Sequence, residues 1–155
     1  MGFATPTMRL ARAHYELVVA HCLDGLPDEA CGLFAGPLAQ NDDGGRGDGL
    51  STEPTGEITA VYLTTNADAS ARTYTVDSRE LIKAMRDAEK AGGALVGVFH
   101  SHTHTDAYPS STDVRQATYP EWIYALVSLK HPEPVLRAYR IRDGEIAEVA
   151  VEITG

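Results

Sequence analysis

Cysteine is scarce in this chain: Cys22 and Cys31 are the only two among 155 residues. Two thiols cannot build the disulfide framework of a small secreted domain, so both are read as reduced. Positive charge is scarce too. Thirteen Lys and Arg against twenty-two Asp and Glu leave a net charge of −9. That balance argues against a generic nucleic-acid grip, which needs clustered cations. No apolar run approaches the ~20 residues that span a bilayer, so no membrane partner is expected. The opening MGFATPTMRLAR has no apolar core of the kind a secretion signal carries. The expected location is therefore the cytoplasm. No internal repeat and no linker divides the sequence, so residues 1–155 are expected to form one domain. That length suffices for a real core but not for a (β/α)8 barrel of about 250 residues.

The hydrophobic fraction, 43%, is that of a folded protein. Met8–Ala11 reads as a short edge strand. Over Ala13–Leu23, Tyr15, Val18, Val19 and Cys22 recur at helical spacing, and Gly25 and Pro27 stop the helix. Cys31–Ala35 reads as a buried strand. Residues 38–56, rich in Gly, Asp and Pro, read as a mobile surface insertion because apolar anchors are nearly absent. Glu57–Thr64 and Thr73–Val76 read as strands. Asp77 or Ser78 is placed to cap a helix over Arg79–Ala91, with Leu81, Ile82, Met85 and Ala88 as its apolar stripe. Ala94–Phe99 is almost purely apolar, as a central strand buried on both faces should be. A polar loop follows, then a short helix near Thr112–Thr118. Ile123–Leu129, Val135–Ile141 and Glu145–Ile153 read as strands, the last two joined tightly at Asp143-Gly144. The expected class is α/β, a mixed, largely antiparallel sheet flanked by helices.

Chemistry concentrates between His100 and Asp113. Alternate residues of an extended chain point to one side, so His100 and His102 can aim at one point as they leave the central strand. Neutral imidazoles suit Zn2+, and a catalytic zinc site typically has three protein ligands. Asp113 is a third candidate, within reach after a turn at Pro109. Taken alone, Ser110 to Asp113 is equally an ordinary helix cap. Far upstream, Glu29 opens an apolar strand. Alone it reads more readily as an exposed acid than as a general base, because burying an unpaired carboxylate is costly.

Together these residues resemble the motif of the JAMM (MPN-plus) zinc hydrolases. The family pattern is Glu…His-x-His-x(10)-Asp with Ser three positions before the Asp; here it reads Glu29…His100-x-His102-x(10)-Asp113 with Ser110. Asp28-Glu-Ala-Cys-Gly-Leu-Phe-Ala-Gly36 and the apolar strand before His100 look similar as well, and the likeness runs from about Met8 to Ile153. One departure is Thr103, where many members carry Pro. His-Ser-His-Thr with a later Ala-Tyr-Pro-Ser looks like the small bacterial branch, which includes a peptidase that frees cysteine from a sulfur-carrier protein.

The resemblance implies an MPN domain with one Zn2+ per chain, held by His100, His102 and Asp113. Glu29 would take a proton from the nucleophilic water and deliver it to the departing amine, and Ser110 would hydrogen-bond the oxyanion. The partner would be a sulfur-carrier or ubiquitin-like protein with a Gly-Gly tail, hydrolysed at its C-terminal amide to release cysteine for biosynthesis. The alternatives are trimming of a carrier to expose Gly-Gly, or a non-catalytic scaffold of the same fold. A polymerase-phosphatase-like or amidohydrolase metal site is disfavoured, since only His131 follows Asp113. His104 is expected in a loop or beside a ligand, Asp106 as a solvated acid, and Cys22 and Cys31 as core residues. His14, His21 and His131 are read as surface, and Trp122 as packing. Arg72, Tyr74 and Tyr108 stay open between tail contact and packing.

Overall fold

The computed structural model describes residues 5–40 and 50–155. In chain order the elements are β1 (Met8–Ala11), α1 (Arg12–Asp24), β2 (Cys31–Gly36), β3 (Leu38–Gln40), β4 (Leu50–Pro54), β5 (Ala60–Thr64) and α2 (Ser78–Lys90). They continue as β6 (Ala94–His102), α3 (Ser111–Gln116), β7 (Ile123–Ser128), β8 (Val135–Arg142), β9 (Glu145–Val149) and β10 (Val151–Thr154). Six strands form the main sheet in the order β5-β2-β6-β7-β8-β9. Its pairings are antiparallel except β6 with β7. The α/β class and largely antiparallel sheet agree with the sequence reading.

The two faces of the sheet bury different sets. Val18 and Cys22 of α1, with Met8 and Leu10 of β1, pack against Phe34, Phe99, Ala125, Val127 and Ala138. On the other face, Ala84 and Ala88 of α2 pack against Leu33, Val98, Tyr124 and Ile141. Alternation along β6 and β7 puts His100, His102, Leu126 and Ser128 on this second face. They stand toward the carboxyl ends of the parallel pair. No helix among the described residues is long and apolar enough to cross a membrane.

Several expectations need correction. The stripe of α2 is Leu81, Ala84 and Ala88, while Ile82 and Met85 are 48% and 39% exposed. The small alanines let the helix approach the sheet, and the large side chains turn outward. Residues 57–59 are not part of β5: Glu57 bridges Arg9, and Ile58 N–H donates to the Arg9 carbonyl. Thr73–Val76 is no strand but part of a loop with one isolated bridge, Asn66 to Val76. Glu145–Ile153 breaks at Ala150, so that β9 stays in the main sheet and β10 leaves to pair with β1 in parallel. The flanks of the expected mobile insertion, β3 and β4, pair as an antiparallel hairpin; residues 41–49 of that insertion lie outside the described residues. Asp143 and Gly144 both take positive φ, 51° and 80°, which a tight two-residue hairpin requires.

Candidate active site

β6 runs three residues past the strand expected from the sequence and carries both histidines on regular sheet pairing. His100 lies opposite Cys31 on β2 and Leu126 on β7, and His102 lies beside Ser128. Both rings are buried, at 2% and 4% exposure. The chain then turns through a polar loop and Pro109 into α3. Ser110 caps this helix: its Oγ accepts from Asp113 N–H at 3.1 Å, and Asp113 Oδ2 accepts from Ser110 N–H at 2.8 Å. The capping geometry of Asp113 is therefore compatible with the ligand role expected of it. The cap presents the carboxylate to the histidines, with Oδ1 at 3.1 Å from His100 Nε2 and Oδ2 at 3.0 Å from His102 Nε2.

The two Nε2 atoms are 3.3 Å apart, and the donor atoms of His100, His102 and Asp113 all lie within 4.8 Å of one another. Two imidazole nitrogens and a carboxylate converging at this distance fit a zinc-like cation by the chemistry of the donor set. Burial pulls His100 below its ordinary pKa. Burial also pulls His102 down, but Asp113 and the Asp106 carbonyl outweigh it and hold that ring above its ordinary value. Burial would push Asp113 up, but the hydrogen bonds from both histidines prevail and keep it well below the carboxylate range.

Glu29 immediately precedes Ala30 and β2 and is only 6% exposed. Burial pushes its carboxyl up to about 7; His102 pulls it down, while Asp113 and Asp68 push it further up. The exposed-acid reading of Glu29 is thus not what the fold provides. Its main chain is held on both sides by the loop after β5. Glu29 N–H donates to the Ser70 carbonyl at 2.8 Å, and Asn66 Nδ2 donates to the Glu29 carbonyl at 2.9 Å. Asn66 also donates to the Thr73 carbonyl and accepts from Asp68 and Thr75 N–H, so one side chain organises the whole loop.

Four further residues around the site carried no functional signal that sequence reasoning resolved. Ser101, between the two histidines, points to the opposite face; its Oγ accepts from Ala30 N–H at 2.9 Å and ties β6 to the residue after Glu29. Tyr74 stacks on His100 with ring centroids 4.2 Å apart. Thr103, at the position of the departure from the family pattern, donates its hydroxyl to the Ala71 carbonyl. His21 is not a free surface residue: Nε2–H is 3.0 Å from both the Cys31 and Thr64 carbonyls. His131 is exposed, as expected. His104 is exposed and outside the donor cluster. The Asp106 carboxylate faces Lys130 at 3.4 Å, whereas its carbonyl accepts from His102 Nδ1–H at 2.8 Å. Cys31 is buried beside Thr64, and burial pushes its thiol up to about 11, against a nucleophilic role.

Residues 11–142 match the family described as prokaryotic homologs of the JAB domain. The chain is 42% identical over 137 residues to the CysO-cysteine peptidase of Mycobacterium tuberculosis, covering 88% of this chain and 84% of that protein. It is 28% identical over 151 residues to a desampylase of Haloferax volcanii, covering 94% of this chain and 96% of the other. Among solved structures, a protein from Desulfitobacterium hafniense superposes with a TM-score of 0.78 at 30% identity, over 96% of this chain and 93% of that one.

Proposed function

The chain belongs to the family of prokaryotic homologs of the JAB domain, and from that premise we propose that it is a zinc-dependent peptidase acting on a ubiquitin-like sulfur carrier. The scissile bond is the amide at the carrier's Gly-Gly end, and the leaving group is cysteine. The likeness to a CysO-cysteine peptidase supports this choice of substrate. The observation that carries the chemistry is the convergence of His100, His102 and Asp113 beside a buried Glu29. A scaffold without catalysis has no use for that arrangement.

His100 Nε2, His102 Nε2 and the Asp113 carboxylate would hold the metal. Bound there, Zn2+ would supply Lewis acidity toward the scissile carbonyl and the attacking water. Glu29 takes the proton of the attacking water and passes it to the departing amine. Burial favours the protonated form of its carboxyl, which suits it to hold the proton between the two transfers. Ser110 uses an oxygen lone pair for its cap, which leaves its O–H proton to meet the oxyanion. The thin Gly-Gly tail enters extended, since it carries no side chains to exclude.

Elemental analysis and a hydrolysis assay test this together. One zinc per chain is expected, with free cysteine released from a carrier–cysteine adduct. A Glu29→Gln variant should keep the zinc and lose about 10²–10⁴-fold in kcat. Equal turnover by Glu29→Gln would remove the general-base assignment, and a protein that takes up no zinc would remove the metal assignment.

A further inference from the structure

The loop between β6 and α3 is fastened from behind by two hydroxyls that the proposed chemistry does not use. The Thr105 carbonyl accepts from Ser128 Oγ–H at 2.6 Å. The Ala107 carbonyl accepts from the Tyr139 hydroxyl. Between them lies the Asp106 carbonyl, which accepts from His102 Nδ1–H at 2.8 Å and from Tyr108 N–H at 2.8 Å. Three consecutive carbonyls thus have side-chain partners: one is the candidate ligand, and two come from β7 and β8. Ser128, Tyr139 and Ala107 are all buried.

A histidine has two ring nitrogens, and the hydrogen bond made by one decides which is left for a metal. A carbonyl can only accept, so the Asp106 carbonyl requires the proton on Nδ1 of His102. Nε2, which faces Asp113 and His100, then keeps its lone pair. The Asp106 carbonyl can impose this only while the peptides on either side of it stay fixed. The Asp106 carboxylate takes no part, being turned to Lys130.

We propose that Ser128 and Tyr139 are positioning residues that fix the ring orientation and proton placement of His102 through the main chain of residues 105–107. This rests on the metal reading of His102 given above. Both residues belong to strands that are legible as packing alone, and the hydroxyl of each bonds a loop carbonyl rather than a donor atom of the cluster.

The test uses full-length Ser128→Ala, Tyr139→Phe and the double variant, with Tyr124→Phe as control. Tyr124 is another buried tyrosine on the same sheet face, but its hydroxyl serves residue 119 rather than the loop. Zinc affinity is read by competition with a chelator. Solvent exchange of the His102 Nδ1 proton is read by NMR on the zinc-loaded proteins. The double variant is expected to lose about 10- to 100-fold in zinc affinity and to exchange that proton faster. Tyr124→Phe should change neither, which separates positioning from a general loss of stability. A wild-type protein that binds no zinc would overturn the metal reading and this inference together. Normal binding by the wild type, with affinity and exchange unchanged in a folded double variant, would overturn this inference alone.

Discussion

Burial raises the pKa of the Glu29 carboxyl, and it does so at a cost to the fold. In the unfolded chain a glutamate titrates near 4.5, whereas in the folded, metal-free protein burial raises it to about 7. A carboxyl raised on folding binds its proton more tightly in the native state. Its stabilising contribution is therefore complete below about 4.5 and is lost as pH rises through about 7. Glutamine cannot ionise and escapes this penalty. In chelated protein, Glu29→Gln should melt above the wild type near pH 8 and close to it near pH 5. The difference is at most about 3 kcal/mol, and thermal melts at the two pH values check it. Identical melting at high pH would mean that Glu29 is not destabilised by its surroundings.

At this same scale the sequence was most informative where spacing alone brings side chains together. His100 and His102 share a side because a strand alternates, and Ser110 and Asp113 meet because a capping box spans three residues. The rest of the site depends on pairing between distant segments. Ser101 reaches Ala30 across 71 positions and Asn66 reaches Glu29 across 37. No local pattern encodes such contacts, so these residues read as ordinary polar positions.

Among the elements, the loop from Asn66 to Val76 has the clearest functional consequence. It cradles Glu29 and supplies the Tyr74 ring that stacks on His100. Asn66→Ala removes the bonds that organise it and leaves carbonyls at Glu29 and Thr73 without this donor. The expected cost is about 1–3 kcal/mol of stability, with a fall in kcat and retained zinc, measured by denaturant melts and elemental analysis. Loss of zinc without loss of kcat per bound metal would place the loop's role at the ligands instead. β2 sets a second limit. Gly32 leaves room for the Phe99 ring, and a methyl group there would collide with that ring and with the Tyr62 carbonyl. Gly32→Ala should destabilise by about 1–3 kcal/mol or more through overpacking. Unchanged denaturant stability would show that Phe99 and β5 can yield.

Helix and strand positions were largely readable because their apolar periods are long. The outward turn of Ile82 and Met85 was not, because Ala84 and Ala88 serve as well as larger residues once the helix lies close to the sheet. The break at Ala150 was hidden for a related reason. β9 and β10 are both β-branched and alternating, and only the position of β1 decides that the chain changes sheets there.

Across the whole molecule, chemistry and scaffold occupy opposite ends of one sheet. The donor cluster stands at the carboxyl ends of β6 and β7. The β3–β4 hairpin follows Gly36, which pairs with Ala94 at the amino end of β6. Arg140 marks that far end, beside the start of β7 by register. It is 1% exposed, with its guanidinium 3.0 Å from Glu53 of β4 and bonded to the Pro120 carbonyl. Glu53 is half-exposed and can be solvated without it, so Arg140→Ala should cost about 2 kcal/mol or somewhat more. Because the site lies at the other end, kcat should hold at temperatures where the variant is folded. A large fall in kcat without a fall in stability would contradict this separation. The paired strands β3 and β4 lie at that far end, away from the donor cluster.

Hydrolysis of a carrier's C-terminal amide by this site is read by intact-mass spectrometry. A Gly-Gly-ended carrier bearing C-terminal cysteine is incubated with zinc-loaded protein, with Glu29→Gln and a chelated sample alongside. Loss of one cysteine residue's mass is expected in the active sample and in neither control. An unchanged carrier mass with one zinc confirmed per chain would contradict the cysteine-releasing reading and turn the search to trimming of a longer tail.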